Sequence, residues 1–259
     1  MNRTWALTIA VLLAIAFAGC AQQPQVVVAP TPTPEPPLRV AFIPGGDPDL
    51  EMKLFGDIMK NVADQIGRPI ELQTATSYAT VVEGLREGHL DMARMGPFIY
   101  VLARQKGIPV EPIVIEDLKG KGTSYKAILI ARTDRNIEFS WDPAVTSKLS
   151  VGLVEEGSTS GSVIPQAEGM NYDPPITLDS WREVAWTGSH NASIAAVQEG
   201  HVDVAFVADR RLIAALASNV VAEGEIEILW ESGPITNSPF VAHQDLGLET
   251  FTKLEWAFR

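Results

Sequence analysis

The stretch SYATVVEGLREGHLDMARMG, residues 77–96, recurs in altered form as SHNASIAAVQEGHVDVAFVA, residues 189–208. Both copies carry E-G-H, an apolar residue, Asp, a second apolar residue and Ala at the same offsets. In each copy a serine precedes a helical pattern that ends at a glycine, and an apolar strand follows. The repeat predicts two lobes built on the same plan. The alternative is that two unrelated helix–turn–strand units share an ordinary capping pattern.

The rest of the sequence alternates in the same way between short apolar strands and helices. LRVAFIPG (38–45) reads as a strand, residues 49–67 have helical spacing, and the alternation starts again with LSVGLVEE (149–156). This pattern predicts an α/β fold with mostly parallel sheets. Two such lobes are expected to enclose a cleft lined by helix N-termini and the carboxyl ends of strands.

The N-terminal region predicts export. Arg3 precedes an apolar run, residues 6–19, that is too short for a bilayer span and ends before Cys20. Residues 1–20 are therefore expected to be a signal peptide, and FAGC resembles a bacterial lipobox in which the cysteine is acylated. The alternative is an ordinary signal peptide with an incidental cysteine. Residues 21–38 are rich in proline and read as a semi-rigid linker, so we expect an extracytoplasmic, lipid-anchored domain in the cell envelope.

The charge of the chain excludes some partners. Its formal net charge is −12, and no basic stripe is present, so we expect no nucleic-acid partner. Any anion site must act locally, against this overall field. Cys20 is the only cysteine, which excludes a disulfide within the chain.

The stretch EEGSTSGS, residues 155–162, is the strongest candidate for a binding site. Three hydroxyl residues, Ser158, Thr159 and Ser160, lie between glycines at the predicted start of a helix, where unpaired N–H groups favour an anion. A serine-rich helix cap without a ligand is the alternative. The central position is Thr159, so the stretch is not a G-x-S-x-G nucleophile motif. The four histidines lack metal-ligand spacing, and we expect neither a metal nor a cofactor.

The first helical residue of each repeat adds a possible donor. Tyr78 follows the capping Ser77, and His190 holds the same position after Ser189. If the lobes face each other, a phenol and an imidazole project into one cleft. Together with the hydroxyl residues they favour a pocket of the size of a small anion. Asp91 and Asp203, which precede the repeated strands, are expected to be structural.

Several blocks of the sequence resemble phosphonate-binding periplasmic proteins, the substrate-binding family of phosphate, phosphite and phosphonate ABC importers. The resemblance covers residues 39–259. The blocks that carry it are SYATVVEGLREGHLDMARMGPFIYVLA (77–103), STSG (158–161), TGSHNASIAAVQEGHVDVAFV (187–207) and SGPITNSPFVAHQDL (232–246).

This resemblance implies a type II periplasmic binding protein, an α/β fold with two lobes, a ligand cleft and two crossover hinge strands. Residues 39–131 plus 228–259 would form lobe 1, and residues 132–227 would form lobe 2. The ligand-binding residues that it implies are Tyr78, Tyr100, Tyr125, Ser158, Thr159, Ser160, His190 and Asp209. The three hydroxyl residues would hold the oxyanion, and His190 would donate a further hydrogen bond.

The implied function is capture of a phosphorus oxyanion by a monomeric, lipid-anchored receptor that delivers it to an ABC transporter permease. A sensor subunit that reports the ligand to a membrane signalling protein is one alternative. An enzyme that uses Ser160 on the same scaffold is another, but no acid or base partner is visible, and we expect no catalysis.

The sequence departs from the family pattern in two places. WDPAVTSKLSVGLVEE (141–156) replaces the usual segment before the S-T-S-G block, which leaves the approach to the site open. The chain ends at FTKLEWAFR (251–259), where family members usually continue with further helix. Either a natural shortening or a truncated sequence would produce this end.

Overall fold

The computed structural model describes residues 35–43, 48–117 and 122–259. The predicted signal peptide, its lipidation site Cys20 and linker residues 21–34 lie outside the described residues. The strands are β1 Leu38–Phe42, β2 Ile70–Thr74, β3 Met92–Arg94, β4 Val110–Ile115, β5 Ser124–Tyr125, β6 Ala127–Arg132, β7 Ser150–Leu153, β8 Glu183–Trp186, β9 Val204–Ala208, β10 Ile226–Glu231, β11 Ile235–Thr236 and β12 Pro239–His243. The α-helices are α1 Pro48–Ile66, α2 Tyr78–Arg86, α3 Pro97–Gln105, α4 Pro143–Thr146, α5 Ile164–Gly169, α6 His190–Gln198, α7 Asp209–Ala217 and α8 Gly247–Ala257.

Two five-stranded sheets share one topology. Sheet 1 has the order β2-β1-β3-β12-β4, and sheet 2 has the corresponding order β8-β7-β9-β6-β10. In each sheet the first three strands are parallel, and the last two pair antiparallel. The sheets are therefore mixed, which corrects the prediction of mostly parallel sheets. The physical reason is that the fourth strand of each sheet enters from the opposite direction.

These fourth strands are crossovers between the two halves of the fold. β12 belongs to sheet 1 although it follows every strand of sheet 2 in the chain. β6 belongs to sheet 2, and only the short β5 separates it in the chain from β4 of sheet 1. The short strands β5 and β11, which pair antiparallel, directly precede β6 and β12, so they lie where the chain crosses between the sheets. This arrangement confirms the predicted two-lobed α/β fold with crossover strands.

The lobe boundaries of the prediction, after residue 131 and before residue 228, fall inside β6 and β10. Both strands belong to sheet 2. We propose that lobe 1 is the half built on sheet 1, that lobe 2 is the half built on sheet 2, and that the division lies at the β5–β11 pair.

The sequence repeat forms equivalent parts of the two lobes. Ser77 caps α2 and Ser189 caps α6, each accepting a hydrogen bond from the N–H three residues on. Gly88 and Gly200 follow these helices with φ of 68° and 72°, a left-handed conformation that glycine adopts without strain. The shared turn then leads into β3 in sheet 1 and β9 in sheet 2.

The repeated aspartates anchor neighbouring strands, as expected for structural residues. Asp91 Oδ2 accepts a hydrogen bond from the Arg39 N–H of β1 at 2.8 Å. Asp203 Oδ2 accepts one from the Ser150 N–H of β7 at 2.9 Å. Each carboxylate therefore holds the start of the central parallel strand of its sheet.

Each lobe has its own apolar core. In lobe 1, Phe42 stacks on Phe55, and Phe240 meets both rings edge-on. Helix α8 covers them with the fully buried Leu254. In lobe 2, Phe206 is surrounded by aromatic rings, namely Trp141, Trp181 and Trp230. Each lobe therefore carries most of its core within itself, and Val154 of lobe 2 is the buried residue that packs into the core of lobe 1.

Candidate ligand-binding cleft

The turn after β7 begins the site. Ser158 caps a short π-helical turn, Thr159–Val163, which continues into α5, and its Oγ accepts a hydrogen bond from the Gly161 N–H at 3.2 Å. A Cβ at Gly161 would lie 2.4 Å from Val154 Cγ2, so a glycine is required for this tight turn. Because the N–H groups of a first helical turn have no intrahelical acceptor, the turn can donate to an anion.

A small cavity lies at this turn, where lobe 1 and lobe 2 meet. Its volume is about 20 Å³. The predicted site residues that line it are Tyr78, Tyr125, Ser158, Thr159, Ser160 and His190. The other lining residues are Ile43, Arg94, Gly96, Ala208, Arg210, Arg211 and Ser238. The described part of the chain thus brings hydroxyl, imidazole and guanidinium donors to one enclosed space.

Two predicted site residues do not line this cavity. Tyr100, on α3, packs instead against the apolar core of lobe 1. Asp209 begins α7, where its Oδ1 accepts a hydrogen bond from the Arg210 N–H at 2.6 Å. This bond directs the carboxylate of Asp209 to its own helix end.

His190 is a neutral donor with a defined tautomer. Its Nδ1 accepts a hydrogen bond from the Ala208 N–H at 3.2 Å, so the ring proton is on Nε2. Burial, together with the charges of Arg211 and Arg210, lowers the pKa of His190 from 6.5 to about 3. The imidazole can therefore donate from Nε2 to an anion at neutral pH without being charged itself.

The two cleft tyrosines are also neutral donors. Burial raises the pKa of Tyr78 to about 12, although the nearby Ser158 hydroxyl opposes the shift. Burial also raises the pKa of Tyr125, against the charge of Arg210 and the nearby hydroxyls of Ser160 and Thr159. Both phenols therefore remain protonated at neutral pH.

Three arginines at the cavity were missed by the sequence reasoning. Arg94 is the last residue of β3, and Arg210 and Arg211 are in the first turn of α7, directly after β9. The sequence contained one signal for these arginines, which is their position in the chain. In a chain of net charge −12, arginines at the carboxyl ends of two repeated strands fall at the edge where α/β sheets bind ligands.

Two carboxylates compensate these arginines only in part. Glu116 pairs with Arg94 and lies 3.3 Å from Arg210 Nη1, while Glu51 pairs with Arg211. Burial alone would raise the pKa of Glu116, but the charge of Arg94 outweighs it and the pKa falls below its ordinary value. Three guanidinium groups and no carboxylate line the cavity, while Glu116 and Glu51 pair with them from outside the lining. The lining of the cavity is therefore positive within an acidic protein.

Direct contacts join the lobes around the cavity. The Phe98 N–H of lobe 1 donates to Thr159 Oγ1 at 3.1 Å, and the Tyr78 N–H donates to Glu155 Oε2 at 3.2 Å. The Arg211–Glu51 ion pair also crosses from α7 to α1. These contacts describe a closed cleft.

Other types of site find no support in the described ranges. Among residues 35–43, 48–117 and 122–259, no cluster of three His, Cys, Asp or Glu side chains is arranged to hold a metal ion. Within the same ranges, no helix has both the length and the apolar character needed to cross a membrane.

Known proteins are similar to this chain in sequence and in fold. The chain is 30% identical over 231 residues to the phosphate-import protein PhnD of Mycolicibacterium smegmatis, covering 85% of this chain and 70% of that protein. A binding protein component of an ABC phosphonate transporter from Pseudomonas aeruginosa is 21% identical with a TM-score of 0.77, over 85% of this chain and 72% of that one. PhnD1 from Prochlorococcus marinus, solved in complex with methylphosphonate, is 21% identical with a TM-score of 0.75, over 85% and 82%.

A family match spans almost all of the described chain. The family described as "ABC transporter, phosphonate, periplasmic substrate-binding protein" matches residues 40–259. The match confirms the resemblance seen in the sequence. It also confirms the expectation of a binding protein, since this is not a family of enzymes. The chain belongs to the periplasmic substrate-binding proteins of phosphonate ABC transporters.

Proposed function

We propose that this protein captures a phosphorus oxyanion outside the cytoplasm and delivers it to an ABC importer, as a monomer anchored through a lipid on Cys20. The observation that carries the ligand class is the closed cavity, in which the Ser158–Ser160 turn, the neutral His190 donor and a net positive charge meet. Hydrogen bonds to a charged ligand are worth about 1.5–3 kcal/mol each. Several of them, less the cost of association, support a dissociation constant near ~1 μM.

The lipid anchor and the export signal rest on the sequence of residues 1–20. Mass spectrometry of the protein purified from bacterial membranes tests them. A mature chain that begins at an acylated Cys20 supports the anchor, and an unmodified chain cleaved elsewhere contradicts it.

A fluorescence titration of the purified protein tests the ligand class. Trp186 lies in the groove between the lobes and is 45% exposed, whereas Trp141, Trp181 and Trp230 pack around Phe206 inside lobe 2. We therefore expect phosphate, phosphite or a phosphonate to change the emission saturably, and Trp186→Phe to remove most of that change while calorimetry still detects binding. Absence of binding by every phosphorus oxyanion, in a folded protein, contradicts the proposal.

A substitution at Gly157 tests whether closure contributes to affinity. A Cβ on Gly157 of lobe 2 would lie 2.5 Å from Ile99 Cδ1 and 3.1 Å from Tyr78 Cβ, both in lobe 1. Gly157→Val is expected to hold the lobes apart and to weaken phosphate binding about 10–100-fold, since overpacking costs about 1–3 kcal/mol in the closed state. The thermal stability of the ligand-free protein should change little.

Gly233→Val is the matched control for the Gly157→Val substitution. No heavy atom lies within 4 Å of the position that a Cβ on Gly233 would take. Its phosphate affinity, measured by isothermal titration calorimetry, should equal that of the unmodified protein. If Gly157→Val also binds phosphate with unchanged affinity, closure of the two lobes does not contribute to that affinity.

A further inference from the structure

The arginines at the cleft give it a property that the hydroxyl turn alone does not provide. We propose that Arg94 and Arg210 are specificity determinants that make this cleft select inorganic phosphate over phosphonates with an alkyl or aminoalkyl substituent. The inference rests on the proposed function, because it concerns which phosphorus oxyanion the same cavity takes.

Arg94 has unused donors in a nearly dry place. It is 5% exposed and lines the cavity, and its Nε donates to Glu116. In the part of the chain that the structure describes, the Arg94 side chain donates only this one hydrogen bond, so its Nη atoms are available to a ligand. An oxygen of the ligand would accept from these atoms, whereas a methyl group would not.

Arg210 is held in place by residues that lie next to the crossover strands β6 and β12. Its Nη2 donates to Ser238 Oγ at 3.2 Å, and its guanidinium lies over the Tyr125 ring, 4.4 Å from the centroid. Glu116 is shared with Arg94, so its charge compensates neither arginine fully. Burial lowers the pKa of Arg210, and the charge of Arg94 lowers it further, as expected for a cation that lacks a full counter-charge. A bound dianion would supply that charge.

The cavity itself offers nothing to a cationic substituent. Its described lining contains arginines but no carboxylate, and the carboxylate of Asp209 is bonded to its own helix end. Glu83, Glu155 and Glu156 line only the adjoining groove between the lobes. An ammonium group held inside the cavity would therefore lie beside guanidinium groups without a partner. The cavity volume of about 20 Å³ is also only slightly above the space that one water requires, so the smallest tetrahedral oxyanions disturb the walls least.

Calorimetric titration of the purified protein with three ligands tests the proposal. We expect phosphate to bind at least about 10-fold more tightly than methylphosphonate, and 2-aminoethylphosphonate to bind more weakly than both. Equal or tighter binding of methylphosphonate or 2-aminoethylphosphonate overturns the proposal while leaving the proposed function intact. If none of the three binds, the proposal is overturned, and the proposed function fails with it only if phosphite does not bind either.

Variants then assign the preference to the arginines. Arg210→Gln should weaken phosphate binding about 10–100-fold but methylphosphonate binding by less than about 3-fold. The preference for phosphate over methylphosphonate would then be largely lost. Arg135→Gln, which removes an exposed arginine beyond the far end of β6, should change neither affinity. Equal losses for both ligands in Arg210→Gln overturn the assignment. The ligand ratio of the unmodified protein needs no variant and stays decisive if Arg210→Gln does not fold.

Discussion

Acidification from pH 7 to pH 4 is expected to destabilise the ligand-free protein by about 3 kcal/mol through His190 alone. Burial lowers the pKa of this imidazole from 6.5 to about 3. Below pH 6.5 the unfolded chain therefore takes up a proton that the folded protein does not bind until about pH 3. The free energy of the unfolded state therefore falls relative to that of the folded state over this window, by about 1.4 kcal/mol for each pH unit. Above pH 6.5 the contribution vanishes.

Denaturant unfolding at pH 7 and at pH 4 measures this effect. His190→Gln should lose about 3 kcal/mol less stability between the two pH values than the unmodified protein does. His201→Gln is the matched control, because His201 lies in the turn after the same helix with its side chain 70% exposed. If His190→Gln and the unmodified protein show the same pH dependence, His190 is not the buried neutral donor described here.

Replacement of Glu116 by glutamine is expected to destabilise the ligand-free protein by about 3–5 kcal/mol. The carboxylate is 13% exposed and compensates both Arg94 and Arg210. Removing one partner of a buried ion pair leaves the other charge without compensation, which is the costly change. The substitution removes one negative charge beside the cavity, so phosphate should stabilise Glu116→Gln more than it stabilises the unmodified protein.

Thermal and denaturant unfolding with and without phosphate check both parts of this prediction. Glu111→Gln provides the control, since Glu111 pairs with Arg104 on the surface and such pairs contribute about 0–1 kcal/mol. A loss in Glu116→Gln no larger than the loss in Glu111→Gln would contradict the account of the buried charges.

The repeat was sufficient to predict the two-lobed plan, because it encodes local features that recur in both lobes. The capping serines, the left-handed glycines and the strand-anchoring aspartates are all short-range signals. Strand direction was not predictable in the same way. β6 and β12 read as ordinary apolar strands, and their antiparallel pairing depends on where the chain crosses between the sheets.

The lining of the cavity was predictable where a residue lies at the N-terminus of its own helix. The Ser158–Ser160 turn and His190 are at helix N-termini that the sequence marks clearly. The arginines were missed because their role depends on distant partners. Arg94 meets Glu116 across lobe 1, and Arg210 reaches Ser238 of the segment before β12. Asp209 was predicted to bind the ligand but does not line the cavity, because a local hydrogen bond from the Arg210 N–H keeps its carboxylate at the helix end.

A crystal structure of the protein with phosphate tests the central claim most directly. We expect the phosphorus atom to lie in the closed cavity, with its oxygens accepting hydrogen bonds from the Ser158–Ser160 turn, His190 Nε2 and the guanidinium groups of Arg94 and Arg210. Phosphate bound elsewhere on the protein, or bound in the cleft without contact to the turn and His190, would contradict the account.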